Sequence, residues 1–438
     1  MKIARKTIAG LLPALSLCLA VAVRLAAGPD VALAFHNGGA GDCGGCHTTH
    51  RAGAIAENAA TAQGVYMLKG SDASSTCLNC HQAAGLAGPT GQYVSTPESE
   101  MPAGVPPKQM TPGGDFGWLK KNYTWKAPGS GMRASPGYMH GHSIVAVDYG
   151  YSADPVITRA PGGAYPASAL SCTSCHDPHG TYRRIINGAI ASSGAKICNS
   201  GSYDTSPDPT ADCPVGVYRL LGGIGYQPAS LNGYSFTADP PAAVAPSVYN
   251  RSEETTETRV AYGSGMSEWC ENCHSINPGN GRHSHPSGSP AKLGILAKYY
   301  NMYVKSGDVT GTSASSYSSL VPFEEGTSDY RTLRSHAKND DSYLRGPDAN
   351  SNVMCLTCHR AHASGWDFGL RFNTYDQDFI TTEAQTGAPL WPGTDTTRNA
   401  QWSMGRTSEE TRRAYYNIPA RRLSPYQRTL CNKCHIRD

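Results

Sequence analysis

The sequence predicts a fold that is mostly coil, with short α-helices and few small strands. Gly (48) and Pro (30) make up about 18% of the 438 residues, against a usual share of about 12%. Only 7 residues are Phe, so a large core of ordinary apolar side chains is not expected. The third observation is a Cys-x-x-Cys-His motif that occurs six times. In chain order the motifs are Cys43/Cys46/His47, Cys77/Cys80/His81, Cys172/Cys175/His176, Cys270/Cys273/His274, Cys355/Cys358/His359 and Cys431/Cys434/His435.

Each motif has the spacing of a covalent c-type haem attachment site. The two thiols form thioethers with the porphyrin, and the next residue ligates the iron. Structural zinc sites do not require a histidine directly after each cysteine pair, and a thioredoxin-type dithiol would occur once. A disulfide scaffold would show more varied spacings. We therefore expect six covalently bound haem c groups, and a core dominated by the porphyrins.

Residues 1–34 have the pattern of an export signal, with a basic start, a 16-residue apolar stretch and a small-residue cleavage site. The apolar stretch is too short for a membrane span, and no later stretch reaches the required length. We expect cleavage after Ala34 and one hexahaem domain over residues 35–438. An oxidising compartment favours a disulfide between Cys198 and Cys213, with two free thiols as the alternative.

The charge gives no sign of a nucleic-acid partner. The full chain has 37 basic and 34 acidic residues, and removing residues 1–34 takes away four basic residues and one acidic residue. The remaining 33 of each sign form no basic patch.

Three helices outside the motifs can be predicted. Residues 291–305 carry apolar side chains at helical spacing, and residues 408–417 follow a capping box of Thr407 and Glu410. A weaker helix is predicted over residues 55–68.

Nine other histidines can supply the second axial ligands. Two imidazoles saturate haem iron, lower its potential relative to His/Met ligation and leave no position for a substrate. Methionine is the rival ligand, and Met101, Met110 and Met139 lie in loops where it could serve. We expect mostly bis-histidine ligation, which indicates electron transfer rather than catalysis. The nine are His36, His50, His140, His142, His179, His283, His285, His336 and His362.

Three of these histidines follow a motif histidine by three residues, in CHTTH (His50), CHDPH (His179) and CHRAH (His362). Such a residue lies one helical turn on, on the same side of the porphyrin, and cannot reach the opposite face of its own haem. If it ligates iron, it ligates a different haem. His50, near the start of the mature chain, could equally reach a haem of another molecule.

The segments around the motifs resemble the OmcS-like family of outer-surface hexahaem cytochromes of metal-reducing bacteria. The similarity spans essentially the whole mature chain and is carried by the loops as well as the motifs. The matching segments are MPAGVPPKQMTPGGDFGWLKKNYTW (101–125), SCTSCHDPHGTYRR (171–184), PAAVAPSVYNR (241–251), VAYGSGMSEWCENCH (260–274), CLTCHRAHASGWD (355–367) and YQRTLCNKCH (426–435).

This resemblance implies a subunit that polymerises head to tail into an extracellular filament with an unbroken chain of haems. It implies that His50 ligates the fifth haem, on the His359 side, of the next protomer. It also implies distal ligands at His142, His179, His285, His336 and His362, with His36 as a further candidate. His140 beside His142 and His283 beside His285 leave two choices open.

The predicted function is extracellular electron transfer, from other multihaem cytochromes to ferric oxides, electrodes or partner cells. The alternative is a monomeric cell-surface or periplasmic electron carrier or terminal metal reductase. A multihaem enzyme would need an open iron position, which many nitrite reductases mark with Lys in place of the motif histidine. All six motifs here carry His.

Overall fold

The computed structural model describes residues 43–48, 68–82, 92–127, 129, 131–275, 285–374, 378–425 and 427–436. The predicted signal segment, the predicted helix over residues 55–68, and His36, His50 and His283 lie outside the described residues. Within the described part, most residues are in coil and turns, as predicted. None of the helices described there has the length and apolar character needed to cross a membrane.

The α-helices are short, and four of them contain or lead into a haem motif. They are α1 (Cys43–Cys46), α2 (Ala73–His81), α3 (Met266–Cys270), α4 (Leu296–Met302), α5 (Tyr330–His336), α6 (Cys355–Cys358), α7 (Thr397–Trp402) and α8 (Ser408–Ala414). The 3-10 helices are Glu98–Glu100, Phe116–Lys120, Gly137–His140, Val147–Tyr149, Ala167–Ala169, Cys172–Ser174, Ile186–Gly188, Tyr218–Leu220, Asp367–Gly369, Ala420–Arg422 and Cys431–Lys433.

The helix starts follow from their capping residues. At α2, the Asp72 carboxylate accepts a hydrogen bond from the Ser75 backbone N–H at 2.8 Å. At α8, the predicted capping box forms, with Thr407 and Glu410 each accepting from the other's backbone N–H. The predicted helix over 291–305 is shorter than expected, because Gly294 has a φ of +51° just before it.

The strands form small antiparallel sheets. They are β1 (Tyr123–Ala127), β2 (Gly131–Ser135), β3 (Arg183–Arg184), β4 (Ile190–Ala191), β5 (Val215–Gly216), β6 (Ala243–Val244), β7 (Ala261–Tyr262), β8 (Thr381–Thr382) and β9 (Pro389–Leu390). β1 pairs with β2, β6 with β7 and β8 with β9, and β3 lies between β4 and β5. Side chains alternate between buried and exposed along β1, so its buried face joins the core.

Apolar side chains form four buried clusters among the described residues. The largest contains Trp118, Trp366 and Trp391, with Tyr415 stacked on Trp391 at a ring-centre distance of 4.3 Å. The prediction of a small apolar core, made from the low Phe count, therefore underestimated the core. The 24 Tyr and 6 Trp supply most of the aromatic side chains.

Candidate haem sites and their axial histidines

One helical turn brings together the three chemical groups of each motif. The backbone N–H of the motif histidine donates to the carbonyl of the first cysteine, four residues earlier, at 2.8–3.0 Å in five motifs. This bond places both thiols and the imidazole around a single turn. The five histidines are His47, His176, His274, His359 and His435, and motif 2 forms the same turn inside α2, which ends at His81.

The cysteines of motif 2 differ in their exposure. Cys77 is partly buried, whereas Cys80 is exposed, as are Cys43 and Cys431. Cys80 is exposed because of its place on α2, where buried Leu78 faces the protein and the next two residues, Asn79 and Cys80, face outward.

Cys80 nevertheless lies beside another motif. Burial, followed by the neighbouring Cys80 thiol, raises the pKa of the Cys46 thiol in motif 1. An exposed thiol is also accessible to a porphyrin that packs on the outer side of α2. The role of Cys80 in haem attachment remains a prediction.

Four motif histidines face a second imidazole across a nearly constant distance. An iron bound on both faces, through metal–imidazole bonds of about 2 Å, would hold the two ring centres roughly 6 Å apart. These residues therefore fit six-coordinate haem iron. The ring centres are 6.5 Å apart for His47 and His179, 6.3 Å for His176 and His362, 5.9 Å for His274 and His142, and 5.9 Å for His435 and His285.

Backbone carbonyls fix the orientation of six of the histidines that lie at or opposite the motifs. A histidine whose Nδ1–H donates to a carbonyl presents a neutral, unprotonated Nε2 to the metal. Among the motif histidines the Nδ1 contacts are His81 to Gln92 O (2.7 Å), His176 to Arg219 O (2.7 Å), His274 to Pro161 O (3.3 Å) and His359 to Phe368 O (2.9 Å). Among the others they are His142 to Ala361 O (2.6 Å) and His285 to Pro286 O (2.8 Å).

Burial also favours the neutral imidazole that binds iron. It lowers the pKa of His274 to about 4, with a smaller contribution from nearby His142. It lowers the pKa of His362 to about 3, with a further contribution from His176. The pKa of His359 is lowered for the same reason.

His140 has a structural role, which separates it from His142. Its ring is fully buried, with Nδ1 2.8 Å from Trp118 O and Nε2 2.8 Å from Ser135 Oγ. Arg406 donates to the same Nε2 at 3.1 Å. Both ring nitrogens of His140 are therefore occupied, whereas His142 faces the motif histidine His274.

His179 and His362, each three residues after a motif histidine, lie opposite another motif, but not for the reason given by the sequence. The helical turn ends at the motif histidine, and His359 already has an extended backbone with φ −108° and ψ 158°. His179 and His362 therefore lie in the chain that leaves the motif. Each faces the motif two earlier, His47 and His176 respectively.

His336 and His359 have different surroundings. His336 stacks on Tyr343 at a ring-centre distance of 4.0 Å, and its Nδ1 is 2.5 Å from the Glu325 carboxylate. Arg259 donates to the other oxygen of the same carboxylate at 2.8 Å. Among the described residues, no second imidazole faces His359 at the spacing of the other four pairs.

Successive motifs contact each other at two equivalent places, which we call the internal joints. At the first, the Cys77 and Cys172 side chains lie beside each other and Ser74 Oγ accepts from the Cys172 N–H at 3.0 Å. At the second, the Cys270 and Cys355 side chains lie beside each other and Ser267 Oγ accepts from the Cys355 N–H, again at 3.0 Å. Both serines are fully buried.

Sequence reasoning missed these joints, although a signal was present. Motifs 2 and 4 both read Ser-x-x-Cys-x-Asn-Cys-His, and motifs 3 and 5 both read Cys-x-Ser/Thr-Cys-His. The hydroxyls of Ser174 and Thr357 bond to the backbone N–H before the first cysteine of their own motifs. The chain thus contains a two-motif repeat over motifs 2–5.

The disulfide between Cys198 and Cys213 is present, with Cα atoms 5.4 Å apart. This confirms the prediction made from the two cysteines outside the motifs.

Comparison with known proteins gives the family. The C-type cytochrome OmcS of Geobacter sulfurreducens is 55% identical over 434 residues, covering 97% of this chain and 98% of the relative. The chain belongs to the OmcS family of c-type cytochromes. Two solved structures, the OmcS nanowires studied by cryo-EM and the Outer Membrane Cytochrome S filament, both from Geobacter sulfurreducens, match with a TM-score of 0.84. Each is 55% identical in sequence and covers 92% of this chain and 100% of its own. No family model matches the chain.

The family assignment confirms the resemblance predicted from the loop segments. It also agrees with the predicted fold, because the OmcS filament structures superimpose on a chain that is mostly coil with short helices and small strands.

Proposed function

We propose that this chain binds six haem c groups and polymerises into an extracellular filament that carries electrons to acceptors outside the cell. The observation that carries the proposal is the set of four opposed imidazole pairs. With imidazole on both faces, haem c supplies an iron that changes oxidation state without changing ligands. The chain's own residues hold both axial positions and leave none for a substrate.

The positions of His179 and His362 after odd-numbered motifs support the idea that a histidine of one protomer ligates the haem iron of another. His179 follows motif 3 and faces motif 1, and His362 follows motif 5 and faces motif 3. By the same rule His50, which follows motif 1, serves motif 5 of a neighbouring copy. His359 belongs to motif 5 and faces no second imidazole among the described residues. The rule for the odd-numbered motifs assigns His50 to motif 5, and His359 of that motif lacks a facing imidazole among the described residues. Both observations favour a ligand that a neighbouring copy supplies.

The even-numbered motifs follow a second rule. His142 precedes motif 3 in sequence and faces motif 4, and His285 precedes motif 5 and faces motif 6. By this rule His36, which precedes motif 1, serves motif 2. Six distal ligands are then assigned without His336, whose contacts with Glu325 and Tyr343 suit a structural role.

The internal joints support head-to-tail assembly. Cys77, Cys172, Cys270 and Cys355 are partly buried in the two joints, whereas the first cysteines of motifs 6 and 1, Cys431 and Cys43, are exposed. A third contact, between motif 6 of one copy and motif 1 of the next, would continue the series between molecules, although Arg428 and Gly45 replace the residues equivalent to Ser74 and Ser174. The solved OmcS structures, described as nanowires and as a filament, are consistent with such growth.

A filament outside the cell needs an electron donor and an electron acceptor. We propose that the protein is exported and loaded with haem beyond the inner membrane, and acts at the outer cell surface. It takes electrons from other multihaem cytochromes and passes them to ferric oxides, electrodes or other cells. Any metal reduction would occur at the haem edge, with no substrate bound to iron.

The test replaces His50 with Ala in the secreted, haem-loaded protein. We expect six-haem monomers in which one iron binds carbon monoxide after reduction, and no filaments by electron microscopy. The matched control is His283→Ala, which neither rule assigns and which should form filaments and bind no carbon monoxide. Filaments of normal length from His50→Ala would contradict ligation in trans and favour the monomeric carrier.

A further inference from the structure

Motif 6 differs from the other five motifs in carrying a buried positive charge. Lys433 lies directly before its second cysteine and is 6% exposed. The same position holds uncharged residues in the other motifs, in chain order Gly45, Asn79, Ser174, Asn272 and Thr357.

The Lys433 ammonium is held by aromatic and backbone groups. Its Nζ donates to Tyr303 O at 2.9 Å and lies 4.5 Å from the ring centre of Tyr300. Tyr300 belongs to α4, and Tyr303 follows the last residue of that helix. These contacts fix the ammonium against the inner side of motif 6.

No carboxylate neutralises this charge directly. Among the described residues, none lies within 4.0 Å of the Lys433 Nζ, and the acid that influences it electrostatically is Glu257. The Glu257 carboxylate is already paired with Arg422 at 2.9 Å. The positive charge of Lys433 therefore remains largely uncompensated inside the protein.

The ammonium acts on the motif itself. Lys433 is the chain neighbour of the attachment cysteine Cys434 and lies two residues before the motif histidine His435. Cys434 is one of the two attachment cysteines of motif 6, so a haem bound there would lie in the field of this cation.

We propose that Lys433 tunes the reduction equilibrium of the haem at motif 6, making it easier to reduce than it would be with an uncharged residue at this position. Reduction removes one positive charge from the iron, and a buried cation nearby favours that change. The inference rests on the proposed function, because it requires a haem at motif 6. Lys433 is a tuning residue and not a ligand.

The expected size follows from Coulomb's law. A buried unit charge beside the site, at an effective dielectric constant of about 20, changes the equilibrium by roughly tenfold. For a one-electron couple a tenfold change corresponds to about 59 mV.

The test is a spectroelectrochemical titration of the haem-loaded protein near neutral pH. Lys433→Met should lower the reduced-to-oxidised ratio of one haem in six by about tenfold at a fixed potential, with the other haems little changed. Lys433→Gln is a second neutral variant that keeps a donor for Tyr303 O, and it should show the same shift. Lys433→Arg keeps the charge and should titrate like the wild type.

Lys298→Met is the matched control for burial. Lys298 lies on α4, like Tyr300, but is exposed, so solvent already screens its charge and little shift is expected. The inference is overturned if both neutral variants titrate like the wild type, or if the Arg variant shifts as far as they do.

Haem content, measured before each titration, separates this inference from the proposed function. A wild-type protein without a haem at motif 6 would overturn both. Six haems with unshifted potentials in the neutral variants would overturn the inference alone.

Discussion

His140 and His142 are two residues apart, and the structure predicts opposite consequences when each is replaced by Ala. His142 is exposed and faces His274 across 5.9 Å, so we assign it to the iron of motif 4. His140 is fully buried and bonds to Trp118 and Ser135. One substitution should open an iron, and the other should weaken the fold.

The expected magnitudes follow from these contacts. His142→Ala opens one coordination position, so the reduced protein should bind one carbon monoxide per chain. Any change in its free energy of unfolding should come from the lost iron–imidazole bond, because the ring is exposed and fills no space in the protein core. His140→Ala should bind no carbon monoxide. It should cost about 2–4 kcal/mol, because two buried hydrogen bonds and a buried ring are lost.

Carbon monoxide difference spectra and denaturant unfolding of the same preparations measure the two effects. Filament formation should be checked in parallel, since neither residue belongs to the proposed trans contact. The reasoning is refuted if His140→Ala binds carbon monoxide, or if His142→Ala binds none while all six haems are present.

Two further predictions concern stability. Replacing both Cys198 and Cys213 with Ser should lower the free energy of unfolding by about 3 kcal/mol, since the disulfide closes a loop of 15 residues. Haem content should not change. If the double variant loses less free energy of unfolding than the wild type loses when its disulfide is reduced, the entropic explanation is contradicted. Burial, followed by repulsion from Glu257, raises the pKa of Glu253 to about 8. Because the folded state binds this proton more tightly than the unfolded chain, the contribution to stability is full below about pH 4.5 and is lost as the pH rises through 8. Glu253→Gln should remove this slope, as measured by unfolding at pH 5, 6.5 and 8, and an unchanged slope would assign it to other groups.

The sequence alone predicted the features that depend on residues close together in the chain. The spacing Cys-x-x-Cys-His predicts the turn that all six motifs form, and the Thr407 and Glu410 capping box placed the start of α8 correctly. These features depend on residues within one turn of the chain, so no tertiary information is needed to find them.

Features that depend on tertiary contacts could not be obtained in this way. His140 and His142 both lie close together in the chain, and only the burial of the His140 ring against Trp118 separates them. The exposure of Cys80 likewise depends on which side of α2 packs against the protein. His362 does face a different motif, as predicted, but the premise of a continuing helical turn is wrong, because the turn stops at the motif histidine.

The two-motif repeat limits how a chain of this kind can change in length during evolution. At each internal joint an even-numbered motif meets the odd-numbered motif that follows it, as Cys77 meets Cys172. Adding or deleting a single motif would bring two motifs of the same parity together where one molecule meets the next. Such a protein could still fold, but its ends would no longer be complementary. Viable relatives that grow by the same joint should therefore gain or lose motifs in twos.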